Sequence, residues 1–385
     1  MSAAPTPPLP ADPCEAAPAH IGAIAPYQPG KPISELAREL GFAERDIVKL
    51  ASNENPLGMS PKARAAIEAA LPELARYPDG NGFELKSALA ARHGVPMERI
   101  VLGNGSNDVL EMVAAAFLGP GRAAVFSAHA FAVYPLATQA RGARGIVVRA
   151  RDYGHDLAAM RGALDADACV IFIANPNNPT GTLVPGAELE AFLRAVPPHV
   201  IVVLDEAYHE YLPDHARYDS VPWLARHRNL VITRTFSKAY GLAGLRVGFA
   251  LCDPQVADLL NRVRQPFNVN SLALTAAAAA LGDAEFVRRS HERNLAGMRE
   301  LTAGFQRLGL AWIPSYGNFV SVEVPRQGGT SRAEALYQEL LRRGVIVRPV
   351  AGYAMPDHLR VTVGLAAENE RCLAALAAAL RSRPA

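Results

Sequence analysis

The sequence has almost no charge of one sign to spare: 39 Lys and Arg stand against 37 Asp and Glu, a net charge of +2 over 385 residues. Nucleic acid and anionic membranes are bound by clustered basic surface, so neither is expected as a partner. Cysteine is scarce. Cys14, Cys169, Cys252 and Cys372 lie far apart without a CxxC pair. That spacing argues against a zinc site and against a disulfide framework, so no metal is expected and the thiols read as reduced, cytoplasmic ones. Long hydrophobic runs are absent too. The most apolar stretch, LALTAAAAAL at 272–281, is too short to cross a bilayer. The opening MSAAPTPPLPADPCEAAPAH lacks the basic start and apolar core of a secretory signal, and reads as a flexible Pro/Ala-rich leader over 1–20. No internal repeat is visible.

What is present is a regular alternation. RIVLGNGSNDVLEMVAAAFL (99–118) reads as a strand, a glycine turn and a helix with apolar residues recurring at three and four. AAVFSAHAFAVYPLATQARG repeats that order. ACVIFIANPNNPTGT (168–182) and HVIVVLDEAYHEYL (199–212) are apolar strands that end in polar residues, and NLVITRTFSK and GLRVGFALC add two more. Strands that are apolar throughout, rather than alternating, belong in a sheet covered on both faces. The expected class is α/β, a mainly parallel sheet between helices. After residue 270 the pattern changes to a long helical section and the strands FVSVEVP, GVIVRPV and HLRVTVG, separated by the helix SRAEALYQELLRRG. The expected division is a large domain at 62–270 and a smaller α+β domain built from 21–61 plus 271–385.

Open parallel sheets bind ligands beyond the C-terminal ends of their strands. The polar residues at those ends are Ser106 and Asn107, then Asn178 in NPNNPTG, then Asp205 and Tyr208, then Thr235, Ser237 and Lys238. Taken singly, each has a plain reading. A lysine after a strand is usually a surface cation, GNGSND can be a turn with a helix cap, NPNNPTG a pair of β-turns, and Arg246 a surface ion-pair partner. Together at one sheet edge they match the needs of pyridoxal 5′-phosphate. Its aldehyde needs an amine that can later serve as general base, which Lys238 offers. Its ring nitrogen needs a buried carboxylate, which Asp205 offers. Its ring oxygen needs donors, which Tyr208 and Asn178 offer. Its phosphate needs N–H groups at a helix start, hydroxyls and an arginine: Ser106, Asn107, Thr235, Ser237 and Arg246. GLAGLRVG is not GxGxxG and follows no helix-opening turn, so a dinucleotide site is not expected.

LASNENPLG, RYPDG, NNPTG, DEAYHEY, TFSKAYGLAGLRVGF and HLRVTVG together resemble the fold-type I, pyridoxal-phosphate-dependent aminotransferases of class II, and among them the histidinol-phosphate aminotransferase group. The resemblance runs from APYQPGKP to the C-terminus. It implies Lys238 as the cofactor-bearing lysine, Asp205 as the partner of the ring nitrogen, and Tyr208 and Asn178 at the ring oxygen. It also implies Phe131 stacked on the cofactor ring and Tyr77 reaching the cofactor phosphate of a second subunit, hence a homodimer with shared sites. Tyr27, Asn53, Arg348 and Arg360 fall at substrate-binding positions. The implied substrates are histidinol phosphate and glutamate with their oxo partners, in histidine biosynthesis. Aromatic amino-acid aminotransferases share these motifs, and a phosphothreonine decarboxylase shares the scaffold, so both stay open.

Overall fold

The computed structural model describes residue 12 and residues 14–381, so most of the leader expected at 1–20 lies outside the described residues. Its centre is a seven-stranded sheet. Across the sheet the strands run Ile100–Gly103, Gly248–Cys252, Leu230–Thr235, Ile201–Asp205, Ala168–Ala174, Ala123–Ser127 and Arg144–Val148. Six run one way, and Gly248–Cys252 runs antiparallel to both its neighbours. The sheet is thus mainly parallel, as expected.

Alternate residues of one strand enter different cores. Ile171 and Ile173 join one apolar cluster while Val170 and Phe172 join another, and Val202 and Leu204 separate in the same way from Ile201 and Val203. Both faces are covered by helices, which is why these strands read as unbroken apolar runs. On one face lie the helices Pro61–Ala70, Phe83–His93 and Ser271–Leu281; the last inserts Ala273, Ala276, Ala277 and Ala280 into the same cluster as Ile100 and Leu102. Local signals set the helix starts. Ser60 accepts from Ala63 N with Pro61 in the first turn, Asn270 accepts from Ala273 N, and Asp283 accepts from Phe286 N.

A three-stranded antiparallel sheet, Arg348–Pro349, His358–Thr362 and Phe319–Glu323, forms a second layer system. It packs through Val320, Val322, Leu359 and Val361 onto Leu301, Phe305, Leu336 and Leu376 of the helices Ala284–Arg307, Ala333–Arg342 and Ala366–Arg381. The N-terminal Val48–Lys49 pairs in parallel with Val345–Ile346 as a separate two-stranded sheet, whose Val48 and Val345 enter the same apolar cluster. The strand Arg144–Val148 was absent from the sequence expectation. It is the sheet edge, and four of its five residues are exposed or half-buried, so it carries no continuous apolar signal.

Candidate active site

The C-terminal ends of five sheet strands open onto one cavity of about 370 Å³, closed from the other side by the smaller sheet and the segment around Asn53. Its lining includes Tyr27, Asn53, Ser106, Asn107, Phe131, Asn178, Asp205, Tyr208, Thr235, Ser237, Lys238, Arg246, Arg348 and Arg360. Every residue singled out from the sequence is therefore brought here, Tyr77 excepted. Tyr77 is 84 % exposed and stacks on Phe267 with ring centroids 4.8 Å apart, away from the cavity.

Asp205 ends the strand Ile201–Asp205 and is buried. Its Oδ2 accepts the Tyr134 hydroxyl at 2.8 Å and its Oδ1 accepts the Thr233 hydroxyl at 3.0 Å. Burial pushes its carboxyl above the ordinary range, and these two donors counter that push. Both are uncharged, so a cationic ring N–H is the kind of group that would complete the site. Lys238 is half-buried, with Nζ donating to Ser52 O at 3.2 Å. Burial first, and the neighbouring Arg360 second, bring its amine down to about 8. An amine so lowered keeps a much larger free-base share near neutral pH than an ordinary lysine, and that share is the nucleophile and base. Burial raises Tyr208 to about 12, which keeps its hydroxyl a donor.

The helix Ser106–Phe117 starts at the cavity wall, so its free N–H groups face in. Close backbone approach is built in beside it. A Cβ at Gly248 would collide with Ser106 N, and one at Gly105, where φ is +78°, would collide with the Arg246 guanidinium. Arg246 itself holds φ +58°, a left-handed conformation uncommon outside glycine. Its Nη1 lies 3.5 Å from Ser237 Oγ, and Ser237 N donates to Thr235 Oγ1 at 3.1 Å. Helix start, hydroxyls and guanidinium converge as a cradle for a dianion. Opposite it, Arg348 and Arg360 are direct partners in antiparallel register. Like charges placed so repel. Arg360 is buried, gives Nη1 to Asn178 Oδ1 and Nη2 to Ala51 O, and its Nε has no partner among the described residues. Arg348 donates to Gln28 O at 2.6 Å and lies 5.6 Å from the Tyr27 ring centroid. Two arginines facing each other with an unused buried N–H fit an anionic substrate group. The residues present thus fit pyridoxal phosphate together with an anionic substrate.

Four contributors escaped sequence reading: Tyr134, Thr233, Thr362 and the cavity-lining Tyr353. Spacing offered a hint for two of them. Thr233 and Thr362 each lie two residues from a recognised site residue on the same strand, hence on the same face.

Fold and cavity together define an α/β enzyme built around a desolvated lysine amine, a buried carboxylate and paired anion-binding arginines. Residues 45–376 match the aminotransferase class I and II family, and the chain belongs to it. It is 60 % identical over 369 residues to histidinol-phosphate aminotransferase 2 of Nitrosospira multiformis, covering 96 % of this chain and 93 % of that protein. It is 61 % identical to histidinol-phosphate aminotransferase 2 of Pseudomonas fluorescens, covering 93 % and 95 %. Among solved structures, histidinol-phosphate aminotransferase from Sinorhizobium meliloti in complex with pyridoxal-5′-phosphate superposes with a TM-score of 0.86 at 28 % identity, covering 94 % of this chain and 97 % of that one.

Proposed function

We propose that this chain catalyses pyridoxal-phosphate-dependent transamination between histidinol phosphate and 2-oxoglutarate, with imidazole acetol phosphate and glutamate as the partners, in histidine biosynthesis. The observation that carries the reading is the arrangement of Lys238, buried Asp205 and the facing Arg348 and Arg360 in one cavity. Identity of about 60 % to the named relatives over nearly the whole chain supports the substrate class over an aromatic amino acid or a decarboxylation.

Bound in this cavity, pyridoxal phosphate supplies an electron sink for the substrate's α-carbon. Lys238 carries the cofactor, then takes and returns the α-proton at its Nζ. Asp205 keeps the ring nitrogen protonated. Tyr208 and Asn178 donate to the ring oxygen, Phe131 stacks on the ring, and Ser106, Asn107, Thr235, Ser237 and Arg246 hold the phosphate. Arg360 and Arg348, with Tyr27 and Asn53, bind the substrate. A guanidinium pair accepts either the α-carboxylate of glutamate or the phosphate of histidinol phosphate, so one anchor serves both halves of the exchange.

We further propose a homodimer. Tyr77, with Met59, Leu71, Leu74, Phe83 and Phe267, is a large apolar residue left exposed, and a second subunit would cover these side chains and receive Tyr77 at its cofactor phosphate. Packing supports a large unit and a small unit, with the helix Ser271–Leu281 going to the large one, so that the division expected at 270 moves past Leu281. No described helix is long and apolar enough to cross a membrane, and all four cysteines are free, which supports a cytoplasmic setting.

The test is a half-reaction screen. Protein reconstituted with pyridoxal phosphate is mixed with histidinol phosphate, phenylalanine or phosphothreonine while the cofactor's absorbance is followed. The fastest change is expected with histidinol phosphate. A faster change with phenylalanine, or release of CO₂ from phosphothreonine without an oxo acid, would overturn the substrate assignment.

A further inference from the structure

We infer that Thr362 is a positioning residue: acting through the side-chain amide of Asn53, it fixes the direction of the Tyr208 hydroxyl hydrogen and turns it into the cavity. The three side chains come from different parts of the chain, and each is at most 3 % exposed. Asn53 holds φ +56°, a conformation that asparagine tolerates better than other side chains and that closes its backbone N–H onto Thr362 Oγ1 at 3.0 Å. The Thr362 hydroxyl in turn gives its hydrogen to Asn53 Oδ1 at 3.0 Å, and Asn53 Nδ2 donates to Tyr208 Oη at 2.9 Å. The Asn53 carbonyl is pinned separately by Asn318 Nδ2 at 3.0 Å, and Thr362 N by Leu50 O at 2.9 Å, so neither backbone can swing away.

Direction follows from counting hydrogens. Thr362 Oγ1 already accepts from a backbone N–H, so its own hydrogen needs an acceptor, and Asn53 Oδ1 is the one at hand. With the Asn53 amide rotated by half a turn, Nδ2 would point at Thr362, whose hydroxyl hydrogen would be buried without an acceptor. Tyr208 would then donate back to Oδ1 and offer the cavity only lone pairs. The observed orientation pairs the Thr362 hydroxyl hydrogen with Asn53 Oδ1 and the Asn53 amide with Tyr208 Oη. It makes Tyr208 an acceptor toward Asn53, which leaves its one hydrogen for whatever lies in the cavity.

This inference rests on the reading that Tyr208 donates to the ring oxygen of pyridoxal phosphate. A ring oxygen deprived of a donor is more basic, so the pH midpoint of the bound cofactor's visible absorbance change moves up. That midpoint is measured on reconstituted wild-type, Thr362→Val, Thr362→Ala, Thr362→Ser, Tyr208→Phe and Tyr208→Phe/Thr362→Val proteins. One hydrogen bond corresponds to a shift of about 0.5–1 pH unit. Thr362→Val and Thr362→Ala should move the midpoint up by about that much, in the same direction as Tyr208→Phe. Thr362→Ser should restore the wild-type midpoint, and the double variant should go no further than Tyr208→Phe alone. A wild-type midpoint in both Thr362→Val and Thr362→Ala while Tyr208→Phe shifts, or a double variant that sums the two shifts, overturns the role of Thr362 and leaves Tyr208 in place. No shift in Tyr208→Phe overturns the Tyr208 assignment and this inference with it.

Discussion

Tyr134 donates its hydroxyl to Asp205 Oδ2 at 2.8 Å behind the cavity wall, the tyrosine being fully buried and the aspartate 4 % exposed. The Tyr134 ring is held flat against Phe172, with ring centroids 4.8 Å apart and planes 7° apart, so the hydroxyl has one place to point. Burial drives the Asp205 carboxyl up, and Tyr134 is the first of the groups that resist it. Tyr134→Phe keeps the packing and removes the donor. The carboxyl should then rise further, and the acidic limb of the pH–rate profile should move to higher pH. A hydrogen bond to a charged group contributes about 1.5–3 kcal/mol, so kcat near neutral pH should fall about 10- to 100-fold with little change in melting temperature. An unchanged pH profile would remove Asp205 from its assigned role.

Arg348 and Arg360 face each other across two strands, an arrangement that costs stability unless an anion lies between them. Arg360→Ala removes both the buried charge and its planar fork. Removing one partner of a buried, hydrogen-bonded charge pair costs about 2–5 kcal/mol, so kcat/KM should drop about 10²-fold or more for glutamate and histidinol phosphate alike. Arg348 is half-buried and bonded to Gln28 O, so Arg348→Ala should have the smaller effect and mainly raise KM. Equal losses from the two variants would contradict the division drawn here.

Lys238 is lowered from 10.5 to about 8 by burial, so the cofactor-free protein holds fewer protons than the unfolded chain between those values. The sign follows: the penalty for a buried ammonium is present at lower pH and is relieved as pH rises from about 8 to 10.5. Two outcomes are expected. Cofactor capture by the apoprotein should quicken with pH and reach half its limiting rate near pH 8, and the apoprotein should gain stability above that pH relative to Lys238→Met. A half-maximal rate near 10.5 would mean that Lys238 is not desolvated.

The cavity was legible in the sequence because its residues sit just beyond apolar strands, where side chains such as Asp205 and Lys238 have no packing reason to be. The antiparallel course of Gly248–Cys252 was not, since a strand buried on both faces carries the same apolar run in either direction. Tyr134 gave no signal because it lies inside a helix, and its partner is 71 residues away. Its polar tip shows only once the helix is docked. Thr362 shares a strand face with Arg360, but that spacing does not show its role: a threonine in a strand is ordinary, and its partner lies 309 residues distant in the chain.

Glu206 follows Asp205 in sequence and serves stability instead. Its Oε2 accepts from Arg234 Nε at 2.9 Å, with the glutamate side chain fully buried and the arginine's 8 % exposed. Burial alone would raise the Glu206 carboxyl, yet the Arg234 guanidinium beside it holds it below the ordinary value. Stability from the pair is therefore present above the ordinary glutamate range and is lost as pH falls through the lowered value. Glu206→Gln keeps the shape but leaves Arg234 as an uncompensated buried cation, a change that costs about 3–5 kcal/mol. Thermal melting should fall by several degrees at neutral pH, and the gap to wild type should narrow in acid. Substrate affinity should stay within about twofold in the folded fraction, because neither Glu206 nor Arg234 lines the cavity. A neutral-pH melting temperature equal to wild type would show that the pair is replaceable by uncharged packing.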